Sequence, residues 1–197
     1  MKMKAEYDFH LASNSPRRRS MLSYLGYHFS AEAIETDESY PSDIPKDQVA
    51  EYLAKKKNSF HRKLFPDRVL VTADTTVLCK GQLLEKPTSS VDAERMLKIL
   101  SGTSHQVISG ICVTGDGKEI SSSQQTEVFF KDLTDEDISH YVTVYKPLDK
   151  AGAYGIQEWI GMIGIKKIVG SYFNVVGLPL DVLHEVLTKE FKISPLR

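Results

Sequence analysis

The stretch Leu11-Ala12-Ser13-Asn14-Ser15-Pro16-Arg17-Arg18-Arg19 constrains this chain more than any other. An apolar run from Phe9 to Ala12 has the character of a strand, and Met21, Leu22 and Leu25 beyond it have helical spacing. A strand therefore passes into a helix through a short turn. Ser15 is placed to cap the helix, and Pro16 suits its first position, where a missing N–H costs nothing. The unpaired N–H groups of the first turn, with the positive end of the helix dipole behind them, face whatever lies in front. Arginines in that turn oppose the dipole. Three in succession point to an anion in front of the helix, a phosphate chain above all. A solvated basic turn is the alternative.

A chain of 197 residues can build one substantial core, or one domain with two lobes, and residues 1–197 are taken as a single domain. The formal net charge of −1 argues against a general nucleic-acid or anionic-membrane binder, which would carry a basic excess. A local arginine cluster in a near-neutral chain fits a small anionic ligand better. Cys79 and Cys112 have neither metal-ligand spacing nor a disulfide framework; both lie in apolar, strand-like runs, as reduced and buried residues of a cytoplasmic protein do. The N-terminal lysines precede no long apolar run, so neither a signal peptide nor a membrane span is expected.

Farther along, Tyr27 to Ile34 has the pattern of a strand, and Glu35 to Pro41 forms an acidic loop, either a solvated turn or a source of hard-cation ligands. Asp47 to Phe65 is expected as a helix with the apolar stripe Val49, Leu53, Phe60, Leu64. Lys57 falls on that stripe, so its ammonium must either snorkel to water or point into a cleft. Arg68 to Ala73 is expected as a strand ending at Asp74-Thr75-Thr76, and an acid at the end of a buried strand is either a turn residue or a catalytic carboxylate. Val77 to Leu84 has the pattern of a hairpin, followed by Glu85-Lys86-Pro87, whose Lys86 on its own is an exposed loop lysine. A helix spans Val91 to Leu100, capped by Ser89 or Ser90. Strands Gln106–Thr114 and Gln125–Phe130 flank a Gly115-Asp116-Gly117 turn, with His105 as a structural residue. A helix capped by Thr134 runs from Asp135 to Val144; Met162 to Val169 is expected as a strand, Ser171 to Gly177 as irregular, and Leu180 to Glu190 as a terminal helix. The small-residue run Lys146 to Gln157 lacks the pattern of a P-loop or a dinucleotide fingerprint. Strands and helices alternate without strict βαβ regularity, which implies an α/β chain with a mixed sheet flanked by helices.

An arginine-rich helix start, an acidic loop, a strand-end aspartate and stray lysines together suit metal-assisted hydrolysis of a polyphosphate. The blocks LASNSPRRRSML, TDE, LAKKK, ADT, EKP, DKAGAYGIQ and GSYFNVVGLPL, in this order and over nearly the whole chain, resemble the Maf family of nucleotide pyrophosphatases. The resemblance implies a fold like that of the inosine-triphosphate pyrophosphatases, with a long mixed sheet and two lobes around a central cleft. It implies cleavage between the α- and β-phosphates, giving a nucleoside monophosphate and pyrophosphate. On the matching positions it implies that Ser13, Arg17 and Arg18 bind phosphate, and that Glu38 ligates a divalent metal, Mg²⁺ or Mn²⁺. It further implies that Lys57 lies in the cleft, and that Asp74 both binds metal and orients or deprotonates the attacking water. Thr75 would contact substrate and Lys86 would stabilise phosphate charge. Gln157 matches the branch acting on dTTP and UTP rather than the branch acting on 7-methyl-GTP, and its amide can pair with a pyrimidine edge. The chain departs from the family pattern at Glu158 and Trp159, where small residues are usual; this bears on base preference, not on phosphate chemistry.

The expected protein is therefore a cytoplasmic hydrolase of dTTP, UTP and modified pyrimidine relatives. It would act on a nucleoside triphosphate, with no nucleic-acid or membrane partner and with a homodimer as an open possibility. The rivals are a house-cleaning pyrophosphatase for purines of the inosine-triphosphate type, and a non-catalytic nucleotide-binding regulator of cell division and septum formation. Arg19 is expected to be a solvated neighbour of the phosphate-binding pair.

Overall fold

The computed structural model describes residues 8–195. Strand β1 (Phe9–Leu11), buried at every residue, leads to helix α1 (Pro16–Tyr24). Then follow β2 (Phe29–Ala31), a 3-10 turn at Lys46–Gln48, α2 (Val49–Arg62), β3 (Leu70–Cys79), β4 (Gln82–Leu84), α3 (Ser90–Leu100), β5 (Ser104–Gly115) and β6 (Lys118–Phe130). Helix α4 (Asp135–Tyr145), a 3-10 turn at Ala151–Ala153, α5 (Trp159–Gly164), β7 (Ile165–Val169), α6 (Tyr172–Val176) and α7 (Leu180–Glu190) complete the order. The strands form one seven-stranded sheet in the order β2-β1-β3-β5-β6-β7, with β4 on β3. β1 is parallel to β2 and β3, whereas β3–β4 and β6–β7 are antiparallel, so the sheet is mixed as expected. No helix among the described residues is long and apolar enough to cross a membrane.

The chain divides into two compact units. One holds the chain through Asp74, Ser109–Gln124 and the segment from Gly177; the other holds Thr75–Ile108 and Gln125–Val176. β3, β5 and β6 each contribute residues to both.

In the first unit, α2 lies close on β5. A Cβ at Gly110 would fall 2.5 Å from both the Cα and the N of Glu51, so only glycine lets the two backbones approach this far. This contact corrects the expected stripe. Val49 and Leu53 are buried, but Phe60 and Leu64 are 41% and 47% exposed. The face α2 turns inward is Ala50, Ala54, Asn58 and His61, all buried, because small side chains are what the narrow gap admits. Asn58 replaces apolar packing with a satisfied polar knot: Nδ2 donates to Leu70 O (3.3 Å) and Cys112 O (3.0 Å), and Oδ1 accepts from the Thr114 hydroxyl (2.7 Å).

In the second unit a core of Val77, Leu84, Leu97, Leu100, Val107, Val128, Tyr141 and Ile160 lies against α3 and α4. Ser89 caps α3, and Thr134 with Asp137 forms a capping box on α4. Three expectations fail here. β3 does not stop at Asp74. It continues to Cys79, because β4 pairs with its far half (Val77↔Leu84, Cys79↔Gln82) through a Lys80-Gly81 turn with both φ positive. The run from Met162 begins as helix α5, and only Ile165–Val169 is strand; a short apolar run does not by itself distinguish the two periods. Ser171–Gly177 contains α6, placed by buried Asn174, whose Nδ2 donates to Val107 O and Thr126 Oγ1 at 3.0 Å each. In addition, β2 is shorter and β6 longer than their patterns suggested.

Cys79 and Cys112 are buried and unpaired with one another, and burial pushes the Cys112 thiol up to about 12. His105 is buried with Nε2 on the Tyr154 hydroxyl at 2.7 Å, the structural role expected of it, and burial pulls its pKa down to about 4.

Three outcomes follow from this packing. Gly110→Ala forces the α2 and β5 backbones apart and should destabilise by about 3 kcal/mol or more in urea unfolding. Gly117→Ala, with nothing within 4 Å of its added Cβ, should cost only the strain of its φ of +74°, about 1 kcal/mol. His105 is neutral when folded and protonated below pH about 6.5 when unfolded, so its contribution is present above pH about 6.5 and lost as pH falls towards 4. That loss should approach roughly 3 kcal/mol, and His105→Phe should flatten the acid limb of a stability-against-pH curve.

Candidate active site

The parallel register His10↔Leu70 and Leu11↔Val71 brings the turn after β1 to the same end of the sheet as Ala73 and Asp74. Ala12 N–H donates to Val71 O at 2.8 Å and continues that pairing. The turn is then locked from within. Ser13 is buried, and its Oγ accepts from Ser15 N–H (3.2 Å); the Ser15 hydroxyl accepts from Arg18 N–H (3.5 Å) as the cap of α1. Arg19 is not a solvated neighbour. It folds back so that Nε and Nη2 both donate to Ser13 O at 3.2 Å, and Nη2 also reaches Asn14 Oδ1 at 3.3 Å. A residue in the first turn can satisfy the carbonyl of the turn it leaves, and the Arg19 guanidinium is committed to that carbonyl.

Arg18 crosses to the neighbouring segments. Nε donates to Gly177 O (2.7 Å) and Nη1 to Ala73 O (2.9 Å), the carbonyl just before Asp74. Desolvation lowers its pKa, opposed by the nearby Asp74 and Glu38 charges, and it remains a cation. Arg17, one residue earlier on α1, is half-buried.

The acidic loop is brought in by α2. Lys57 Nζ donates to Glu38 Oε1 at 2.7 Å and to Asp74 Oδ1 at 2.5 Å. The Lys57 and Asp74 side chains are only 14% and 12% exposed, so the ammonium does not snorkel to water; it gathers two carboxylates from segments 36 residues apart in sequence. The adjacent Lys56 binds Asp37 Oδ2 (2.8 Å) and Ser39 O (2.7 Å), and this bond, with that from the Ser39 hydroxyl, holds the Asp37 carboxyl below the usual carboxylate range. His61 fixes the root of the loop: Nε2 accepts from Ile34 N–H at 3.1 Å, so Nδ1 is the donor to Lys57 O at 2.8 Å. The family blocks assign no role to Lys56 or His61, although Lys56 lies within LAKKK. The signal for Lys56 was the pair Lys56-Lys57 facing the pair Asp37-Glu38; His61 gave none beyond its place on the helix.

Glu38 and Asp74 therefore converge on one cationic point. Among the described residues no group of three or more His, Cys, Asp or Glu gathers as a ready-made metal cage. Two converging carboxylates nevertheless suit Mg²⁺ or Mn²⁺, which take one or two protein carboxylates and complete their shell with water and substrate phosphates.

The remaining candidates belong to the second unit. Thr75 follows Asp74 in β3, and strand alternation turns it to the opposite face. Lys86 is exposed in the loop after β4, and that loop is pinned to the 3-10 turn by Gly152 N–H donating to Glu85 O at 3.2 Å. Gln157 is half-buried, and its Oε1 is buried with no hydrogen-bond partner among the described residues. The two departures beside it are engaged elsewhere. Glu158 pairs with Lys150 (3.1 Å) and with the Tyr141 hydroxyl, and Trp159 lies edge-on to His140 at 4.9 Å.

Residues 8–190 match the family described as Maf-like protein. Proteins named dTTP/UTP pyrophosphatase are similar over most of their length. That of Phocaeicola vulgatus is 47% identical over 186 residues, 93% of this chain and 96% of its own. That of Bacteroides thetaiotaomicron is 44% identical over 186 residues, with 93% and 96% covered. That of Porphyromonas gingivalis W83 is 41% identical over 190 residues, with 94% and 95% covered. The Ham1 protein of Staphylococcus aureus gives a TM-score of 0.48 at 14% identity, over 63% of this chain and 72% of that one, which is too slight to carry weight.

Arg18→Lys tests whether this side chain ties α1 to the segments at Ala73 and Gly177. Lysine cannot serve Gly177 O and Ala73 O with one fork, so the variant should lose about 1–3 kcal/mol in chemical unfolding.

Proposed function

Since the chain belongs to the Maf family, we propose that it is a nucleoside triphosphate pyrophosphatase that hydrolyses dTTP and UTP, with modified pyrimidine relatives, to the monophosphate and pyrophosphate. The observation that carries the reading is the Lys57 ammonium between Glu38 and Asp74, beside an arginine-rich helix start. A pure binder of nucleotides needs cations. It has no need of a carboxylate aimed at the same point.

In this reading the Ser13–Arg18 turn and Lys57 hold the triphosphate, and Lys86 takes the role that the family pattern gives it, stabilising phosphate charge. Asp74 orients a water and takes its proton as the water oxygen bonds to the α-phosphorus. The bond from the α-phosphorus to the bridging oxygen breaks, and pyrophosphate leaves with its charge stabilised by the arginines and lysines. Glu38 and Asp74 would hold a divalent cation, which supplies neutralisation of phosphate charge when bound. Gln157 reads the base: its unpartnered Oε1 calls for a donor, and the ring N–H of uracil or thymine is one. The protein works in the cytoplasm, on a small-molecule substrate, with residues 1–197 as one catalytic domain.

The test is pyrophosphate release from dTTP, UTP, 7-methyl-GTP and ITP, assayed side by side with Mg²⁺ or Mn²⁺. The pyrimidine pair should lead, and a chelator should stop turnover. Asp74→Asn should keep its thermal midpoint within a few degrees while kcat/KM falls roughly a hundredfold or more. Turnover at the wild-type rate in that variant would sink the assignment.

A further inference from the structure

The loop that carries Gln157 is braced by charged groups that the hydrolysis itself does not use. Lys150 is 8% exposed, and its Nζ lies 3.1 Å from Glu158 Oε1 and 2.7 Å from Asp149 Oδ1. The Tyr141 hydroxyl donates to Glu158 Oε2 and accepts from Gly155 N–H at 3.0 Å. The Glu158 backbone is also committed: its N–H donates to Gly155 O (3.0 Å), and its carbonyl accepts from Gly161 N–H (2.9 Å) where α5 begins. The two ends of the Gly155–Glu158 corner are thus tied to α4 and α5, and Gln157 sits between the ties.

Gly155 shows how close the two side chains are. A Cβ there would fall 2.8 Å from Glu158 Cδ and 2.9 Å from Gln157 Nε2. The Glu158 carboxylate and the Gln157 amide therefore border one bare patch of backbone. With the carboxylate drawn to Lys150 and Tyr141, the amide keeps its own side of that patch, and its Oε1 stays without a partner among the described residues. Released, the carboxylate would be an acceptor next to the amide N–H₂ and would turn it. A glutamate is thus useful here as a fixed wall and harmful as a loose one.

We propose that Glu158, held by Lys150 and Tyr141, is a positioning residue that sets the direction of the Gln157 amide and thereby the preference for uracil and thymine over cytosine. This rests on the reading above that Gln157 meets the base. UTP and CTP are the fitting probes. They share ribose and phosphates and differ at the pyrimidine edge, where uracil offers a ring N–H and cytosine a ring acceptor.

The experiment measures kcat and KM for UTP and CTP in the wild type, Gln157→Ala, Glu158→Gln, Glu158→Ala, Tyr141→Phe and the Gln157→Ala/Glu158→Ala double variant. Glu158→Ala should raise KM for UTP roughly tenfold while kcat moves less than about threefold, and the UTP-over-CTP ratio of kcat/KM should fall with it. Glu158→Gln, which keeps an acceptor for Tyr141 but not the charge for Lys150, should fall between. The double variant should discriminate no worse than Gln157→Ala alone, because the two residues act in series. Equal losses on UTP and CTP, or additive losses in the double variant, would overturn the positioning role. If Glu158→Ala does not fold, Glu158→Gln and Tyr141→Phe decide the matter on the same ratio. Should Gln157→Ala leave the ratio unchanged, the base-reading role of Gln157 fails and this inference with it. A ratio altered by Gln157→Ala but by none of the Glu158 or Tyr141 variants removes this inference alone.

Discussion

The close approach of α2 to the sheet is the constraint on which the site depends. Gly110 leaves no side chain where β5 meets Ala50 and Glu51, and so α2 can present Ala50, Ala54 and Asn58 inward. That rotation carries Lys57 to the flank of the helix, where a four-carbon stem delivers the ammonium to Asp74 without crossing the core. A larger residue at position 110 would lift the helix. Asn58 would then lose Leu70 O and Cys112 O, and Lys57 would lose its reach. The geometry of the charged site thus follows from the absence of one methyl group on a strand.

Given that platform, the acidic loop is assembled by short-range chemistry. Lys56 and Lys57, consecutive on α2, each bind one of the consecutive acids Asp37 and Glu38, while His61 one turn later holds Ile34 at the root. Adjacent helical residues point about 100° apart, so two neighbouring acids are pulled in different directions. Asp37 is drawn to the exposed side and Glu38 to the buried Asp74. The neutral tautomer of His61 serves this well, since it can donate to its own helix and accept from the loop.

Much of this was legible in the residues, and what was not has identifiable causes. The turn from β1 into α1 could be derived because Ser15 and Pro16 are local signals whose meaning does not depend on distant contacts. The same holds for the caps at Ser89 and Thr134 and for α7 after Pro179. Lys57 stands out of place on the apolar stripe, but only half of that stripe is buried: Phe60 and Leu64 keep the helical period and yet lie exposed. Asp74 has the sequence context of a strand end, yet it lies within β3; the pairing that prolongs the strand comes from β4, which nothing before Asp74 announces. Arg19 looked like its two neighbours in the sequence and differs from them only in three dimensions, where Ser13 O lies within its reach.

The two units do not follow one another along the chain. The backbone passes from one to the other between Asp74 and Thr75, Ile108 and Ser109, Gln124 and Gln125, and Val176 and Gly177. During synthesis the unit of Thr75–Ile108 and Gln125–Val176 has all its residues before α7 exists. The unit bearing Lys57, Glu38 and Asp74 waits for α7, whose buried Leu183 and Leu187 belong to it. The unit that carries the charged centre therefore has all its buried parts only once α7 has been made, although most of that centre is made first. Such non-local closure is slow compared with helical hairpin formation. It also ties the unit of the acid–lysine centre to the synthesis of α7, so that a product cut short before α7 carries the residues of that centre without the helix that packs into its unit.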